Sequence, residues 1–285
     1  MSNSMQIHHY TNIDTLALIL KNQTLRFNRL DKVDDPEESN FYSQGVNLGP
    51  YTFVSCWTES REESIPMWKM YTSGCRGVRI TVPRDNLFRT YSYDGFKHNG
   101  LTSVSLGGTF LSLFPPEVQF QQDKYMPPFL TTDYDACNFY RKVQYVDNVQ
   151  ILSKDVIQIS ELDERGRGSI SIAYQKVGSY KHKRWAFQDE SRFVLNMLPG
   201  NPTSKFNTSE FDREQTRFIQ SFMQNKDLGF TYYDMNLNPD VIDDITITLS
   251  PFATDSQRTI VEALCHKYAP HATIEESALS GKIAR

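Results

Sequence analysis

The first thirty residues change hydrophobic period twice, and that pattern restricts the fold more than any other feature of the chain. QIHHYT (residues 6–11) reads as a short strand. In NIDTLALILKN, Ile13, Leu16, Ala17, Ile19 and Leu20 fall near helical spacing, with Asn12 or Asp14 available as the cap. TLRFNRL then alternates as a strand again. A second unit of the same kind closes the chain: the strand VIDDITITLSP, the amphipathic helix TDSQRTIVEALCHKYAP and the strand HATIEESAL. Between them, YTFVSCWTES, GVRITV, NFYRKVQYVD and KHKRWAFQDESRFVLNM carry strand character, while SIPMWKMYTS begins at a proline and reads as a short helix. Two periods mixed in this way imply an α+β chain, expected to be a single domain over residues 1–285.

Three stretches resist this reading. DKVDDPEESN is expected to be a loop or the start of a new turn, because Pro36 disfavours helix at Asp35 and acids packed tightly would repel one another. Residues 84–140 mix Gly, paired Pro and aromatics, and are expected to be an irregular insertion. DVIQISELDERGRGSISIAYQKV is expected to end in a helix.

A formal charge of -4, from 34 acidic and 30 basic side chains, excludes a global field that would gather nucleic acid or an anionic membrane. The four cysteines (Cys56, Cys75, Cys137, Cys265) lie far apart without metal-ligand spacing, and read as reduced thiols. The N-terminus lacks a basic region followed by an apolar run, and no long apolar stretch occurs, so a cytoplasmic protein without a membrane span is expected. Phosphate loops, dinucleotide fingerprints, nucleophile elbows and zincin motifs are missing.

Chemistry then falls to three constellations. The first is His9, Tyr10 and Thr11 on the opening strand, where a histidine serves either as a satisfied core residue or as a ligand contact. The second is Trp68 and Tyr71, three apart on one helical face, a spacing equally suited to core. The third is Gln188 and Glu190, read as sharing one face of a central strand with Arg192. Glu190 would then be a carboxylate in a low dielectric with a raised or partner-dependent pKa, and Arg192 could be only its structural ion-pair partner. Asp31, Asp34, Asp35, Glu37 and Glu38 offer a possible divalent-ion site, but the chain lacks the spaced glycine of a calcium loop.

Taken together, HHYTNIDTLALILKNQTLRFNRLDKVDDPEE, FVSCWTESREESIPMWKMYTSGCRGVRI, KRWAFQDESRF and the closing ITLSP segment resemble the bacterial family catalogued as domain of unknown function 2971, across most of the chain and in the same order. The same residues resemble the ADP-ribosyltransferase pattern of an early His followed by a polar residue, a central Tyr and a late Gln-x-Glu. That resemblance implies an ADP-ribosyltransferase-like fold with a mixed, mostly antiparallel central sheet split around helices. It implies an NAD+-consuming enzyme, transferring ADP-ribose or hydrolysing NAD+, working as an anti-phage defence or toxin effector of the abortive-infection kind. Glu190, Gln188 and Tyr71 would be catalytic; His9, Tyr10, Thr11, Trp68, Tyr71 and Arg192 would bind NAD+, which is substrate, with no metal required. The acceptor (protein, nucleic acid, small molecule or water) and any partner protein of a defence system are left open. Two other classes stand beside it: a sensing module that binds without turnover, and a metal-dependent nuclease using Asp34, Asp35 and Glu37, with KHKR (residues 181–184) on phosphates.

Overall fold

The structure is a computed structural model that describes residues 5–98, 101–102, 111–121, 124–125, 133–159, 170–205 and 208–284. Nine strands form its main sheet: β1 (Gln6–Thr11), β2 (Thr24–Arg29), β3 (Thr52–Thr58), β4 (Val78–Pro83), β5 (Tyr140–Lys142), β6 (Glu190–Asn196), β7 (Tyr232–Asn236), β8 (Thr246–Leu249) and β9 (Thr273–Glu276). Five helices enter the argument: α1 (Ile13–Asn22), α2 (Pro36–Ser39), α3 (Ile65–Tyr71), α4 (Ser209–Met223) and α5 (Asp255–Tyr268). The strand order is β5-β6-β3-β1-β4-β8-β9, with β2 on β3 and β7 on β2. Every pairing in this sheet is antiparallel except β8 with β9. The architecture is α+β with one mixed sheet, as expected.

One edge of β3 serves two partners. Thr58 pairs with His8 of β1, whereas Val54 and Phe53 pair with Asn28 and Arg29 of β2. β1 and β2 are joined by α1, which begins where the Asn12 side chain accepts from the Thr15 amide at 2.7 Å and ends where Gln23 turns left-handed (φ 52°). The helix pulls the two strands apart, so the sheet splits over Ser55–Trp57.

The register fixes the two faces. Ile7, Ile80, Trp57, Phe193, Leu195 and Ile247 point into a core shared with Leu16 and Leu20 of α1 and Val261 of α5. His8, Tyr10, Cys56, Thr58, Glu190 and Arg192 alternate with them and point to the opposite face. There Tyr10 packs edge-on against Trp68 of α3, ring centroids 4.9 Å apart.

Several expectations are corrected. Of the two forms expected of the acidic stretch, it takes the turn rather than the loop: Leu30–Lys32 is a 3-10 turn and Pro36–Ser39 is helical, its first turn capped by Asp35 accepting from the Glu37 amide. Residues 170–172 form a strand paired with Ile157–Ile159, followed by a 3-10 turn at Tyr174–Lys176 rather than a helix, with 160–169 outside the described residues. KHKRWAFQDESRFVLNM is not one strand but a short strand (Tyr180–His182), a 3-10 helix (Lys183–Gln188), a left-handed Asp189 (φ 42°) and then β6. Of the expected insertion, the described parts are short strand pairs and one helical turn; 99–100, 103–110, 122–123 and 126–132 lie outside the described residues. Among the described residues no helix is long and apolar enough to cross a membrane.

Candidate functional site

A cleft of about 250 Å³ opens where the sheet splits. β1 supplies His8, His9 and Tyr10; β2 and the turn after it supply Arg26, Asn28, Lys32, Val33 and Asp34; β3 forms the floor with Val54, Ser55, Cys56 and Trp57. Met67 and Tyr71 descend from α3, and Lys181, Gln188, Glu190 and Arg192 come from the segment that runs into β6.

The split creates the first contact. The Cys56 carbonyl, on the stretch of β3 edge between its two partners, accepts from His9 Nδ1 at 2.8 Å. That bond assigns the tautomer: with the proton on Nδ1, the neutral ring leaves Nε2 as an acceptor. Burial lowers the His9 pKa, against the opposing pull of the Cys56 carbonyl. Its ring lies tilted on Trp57, centroids 5.2 Å apart.

The second contact joins α3 to the approach to β6. Gln188 is 3% exposed and donates through Nε2 to the Tyr71 hydroxyl at 2.5 Å, while its Oε1 is buried without a partner. The Tyr71 phenol is pushed up by burial, with the Asp34 and Glu190 charges acting in the same direction. It is therefore a neutral ring at neutral pH.

The third feature is a buried ionic tetrad. Arg192 grips Glu190 from Nε (2.5 Å to Oε1) and Nη2 (3.0 Å to Oε2). It grips Glu38 of α2 from Nη1 (2.6 Å to Oε2) and Nη2 (3.1 Å to Oε1). Lys181 Nζ completes the group, 3.3 Å from Glu190 and 3.5 Å from Glu38, with its ammonium 4.8 Å from the centre of the Trp185 ring. Arg192 is fully buried and the other three are no more than 4% exposed. Two cations and two carboxylates cancel, which is what allows four charges to leave water together. Burial works to raise the Glu190 pKa, but Arg192 and Lys181 outweigh it and hold the carboxyl at about 2. The Glu190 amide donates to the Tyr145 hydroxyl at 2.8 Å.

The structure thus brings His9, Tyr10, Tyr71, Gln188, Glu190 and Arg192 to one cleft from three distant parts of the sequence. Two expected ligand residues do not line it. Thr11 is buried at the far end of β1, opposite Val78. Trp68 is fully buried behind Tyr10, its Nε1 donating to Glu63 at 2.8 Å. Gln188 and Glu190 do not share a strand face, as alternation implied; the left-handed Asp189 between them turns both toward the cleft.

The acidic stretch and the KHKR run are dispersed into local roles. Asp35 caps α2, Glu37 meets Arg184 at 3.0 Å, and Glu38 sits in the tetrad. Lys183 pairs with Asp147 and Lys181 is buried. Among the described residues no group of three or more His, Cys, Asp or Glu side chains is placed to hold a metal ion. Sequence reasoning missed Glu38 as a partner of Arg192, Lys181 as the second cation on Glu190 and Glu38, and His8 and Asn28 as cleft residues. The one available signal for Glu38 was its separation by two residues from Pro36, which starts a helical turn.

No family model matches this chain, and comparison with curated proteins and with solved structures found no match.

Proposed function

We propose that the chain binds NAD+ in the cleft at the sheet split and breaks its nicotinamide-ribose bond, passing ADP-ribose to an acceptor or to water. The observation that carries this reading is the convergence of His9, Tyr71, Gln188 and Glu190, which lie up to 181 positions apart in sequence, on one cleft. An ADP-ribosyltransferase-like arrangement of the mostly antiparallel sheet is part of the same proposal, as is a role in bacterial defence or as a toxin, which rests on the sequence resemblance alone.

The chemistry follows from the side chains. His9 Nε2 is an acceptor for a ribose hydroxyl. Tyr71 offers a neutral aromatic face to the nicotinamide ring. As the C1'-N1 bond breaks, its electron pair leaves with neutral nicotinamide, and positive charge develops on the ribose. Glu190, held ionised, stabilises that charge. Its two oxygens offer about four acceptor positions, taken by Arg192 Nε, Arg192 Nη2, Lys181 Nζ and the Cys56 thiol. The thiol is the weak donor of the four, and the ribose 2'-hydroxyl would take its place. Gln188 Oε1, buried and without a donor, orients the incoming nucleophile. The four cations that line the cleft all have counter-ions, Arg192 and Lys181 in Glu190 and Glu38, Arg26 in Asp234 and Lys32 in Asp31, so they give the cleft no surplus positive charge. The cleft volume falls just below the roughly 300–1,000 Å³ of small-molecule pockets, enough for the nicotinamide end of a dinucleotide with the remainder in the mouth.

A second reading has its own observation. Glu190 is 4% exposed and its charge is compensated by Arg192 and Lys181, an arrangement equally suited to a binding module that recognises its ligand without turnover.

Nicotinamide release from NAD+ by purified protein, with and without cell or phage lysate as a source of acceptor, separates the two. The enzymatic reading expects release that falls at least about 100-fold in Glu190→Gln and also falls in Gln188→Ala, which leaves the tetrad intact. Folded wild type that binds NAD+ and releases nothing under any of these conditions would leave the binding module in its place.

A further inference from the structure

Where β1 pairs with β4, two buried side-chain nitrogens have no partner, one on His8 in the cleft wall and one on Arg79 outside the cleft lining. His8 is 5% exposed and lines the cleft; its Nδ1 shares a hydrogen with Thr81 Oγ1 at 2.8 Å, and its Nε2 has no partner. Arg79 is 8% exposed, and its Nε is likewise without an acceptor. The register puts Thr81 opposite His8 and Arg79 opposite Tyr10, so His8, Tyr10 and Arg79 share one face of the sheet.

The groups that bond Arg79 among the described residues are neutral. Its Nη1 donates to the Arg61 carbonyl at 3.1 Å, and the Tyr10 hydroxyl lies beside it. Among the described residues no carboxylate stands within ion-pair distance of it, in contrast to Arg192 on the same face, which holds two. A guanidinium taken out of water without an anion is costly, and the cost is removed when an anion arrives. A second arginine, Arg61, adds its field at the same place: after burial, Arg79 and Arg61 are the charges that depress His8, to about 4. The imidazole is neutral at pH 7 and can turn an N-H toward the cleft if Thr81 donates to Nδ1.

We propose that His8 and Arg79, in the field of Arg61, form a phosphate subsite that continues the cleft beyond His8, taking the diphosphate of a nucleotide ligand. This deepens the reading above: the identity of the nucleotide rests on it, while the anion site stands on the unpaired guanidinium and imidazole. The nicotinamide end would lie against Tyr71 and Glu190, and the diphosphate against β1 and β4. Guanidinium and phosphate match in shape and hydrogen-bonding geometry.

Calorimetric titration of the full-length protein with inorganic pyrophosphate, ADP-ribose and nicotinamide riboside tests it. Pyrophosphate and ADP-ribose should bind, and Arg79→Met should weaken both by about tenfold or more. Nicotinamide riboside should be unaffected, and Arg79→Lys should recover part of the loss. In the wild type, saturating pyrophosphate should move the His8 ring nitrogen resonances. His8→Phe, which keeps a buried ring, replaces Arg79→Met if that variant does not fold. Unchanged pyrophosphate affinity in the folded variant, or His8 resonances that stay in place, overturns the subsite. Pyrophosphate binding that persists in a protein without NAD+ turnover removes the enzymatic reading and keeps the subsite. Turnover with unaltered KM in Arg79→Met does the reverse.

Discussion

Replacing Arg192 with Met removes the centre of the tetrad and leaves Glu38 and Glu190 to share Lys181. Five hydrogen bonds go with the guanidinium: four to the two carboxylates and one to the Gly178 carbonyl. One buried negative charge is then uncompensated, and breaking a buried pair in this way costs about 3–5 kcal/mol. The Glu190 carboxyl points the same way: Arg192 and Lys181 hold it below its ordinary value against the effect of burial, which favours the ionised folded form. For a chain of this size the loss should lower the thermal midpoint by roughly 6–20 °C.

The pH dependence is specific. A carboxyl depressed on folding contributes fully above its unfolded value of 4.5 and loses that contribution as pH falls toward about 2. In Arg192→Met burial is no longer offset, Glu190 titrates higher, and its contribution is already gone. The stability gap between wild type and variant should therefore be widest near neutrality and narrow below pH 4.5. Denaturant titrations at pH 7, 5 and 3 read both quantities. A loss under about 1 kcal/mol at pH 7, or a gap that does not narrow in acid, would refute a dry, paired tetrad.

Four further outcomes follow from the same geometry. His8 is lowered from 6.5 to about 4, so its neutral form is favoured on folding; stability present above pH 6.5 should decline as pH falls toward about 4, and His8→Asn should flatten that limb in thermal melts. Tyr71→Phe leaves the Gln188 side chain with neither end bonded, and should cost about 1–3 kcal/mol in denaturant titration. In Gly77→Ala the new Cβ would stand 2.1 Å from the Thr11 carbonyl oxygen, so the end of β1 must shift; a loss of about 1–3 kcal/mol or more is expected by thermal melting. Asn12→Ala removes the cap of α1, the helix that spreads β1 from β2, and should cost about 1 kcal/mol by the same assay.

The sequence was most readable where local periodicity and tertiary environment agree. β1, α1, β2 and the closing β8-α5-β9 unit combine clean hydrophobic spacing with capping residues, so Asn12 marked its helix and Thr254 could have marked its own. The irregular approach to β6 was hidden because 3-10 turns have no apolar period, and because a left-handed Asp is rare enough that alternation looked the simpler reading. Trp68 and Tyr71 shared a helical spacing, yet only the packing of Tyr10 decides which ring is core and which faces the cleft. Glu190, two residues away on the same face, was within local reading as a partner of Arg192, but its second carboxylate was not. Glu38 lies 154 positions away, and a charge in an acidic run reads as solvated until the fold supplies its counter-ions. The reverse holds for Arg79, whose isolation is visible only once its strand neighbours are known.

The central claim is that one cleft at the sheet split holds the nicotinamide half of NAD+. A crystal structure of the protein with a non-hydrolysable carba analogue of NAD+ addresses it directly. The expected result is the nicotinamide ring against Tyr71, a hydroxyl of the adjoining ring on Glu190, and His9 Nε2 within hydrogen-bond distance of the ligand. A cleft that stays empty at saturating analogue, or a nicotinamide ring placed away from Tyr71 and Glu190, would contradict it.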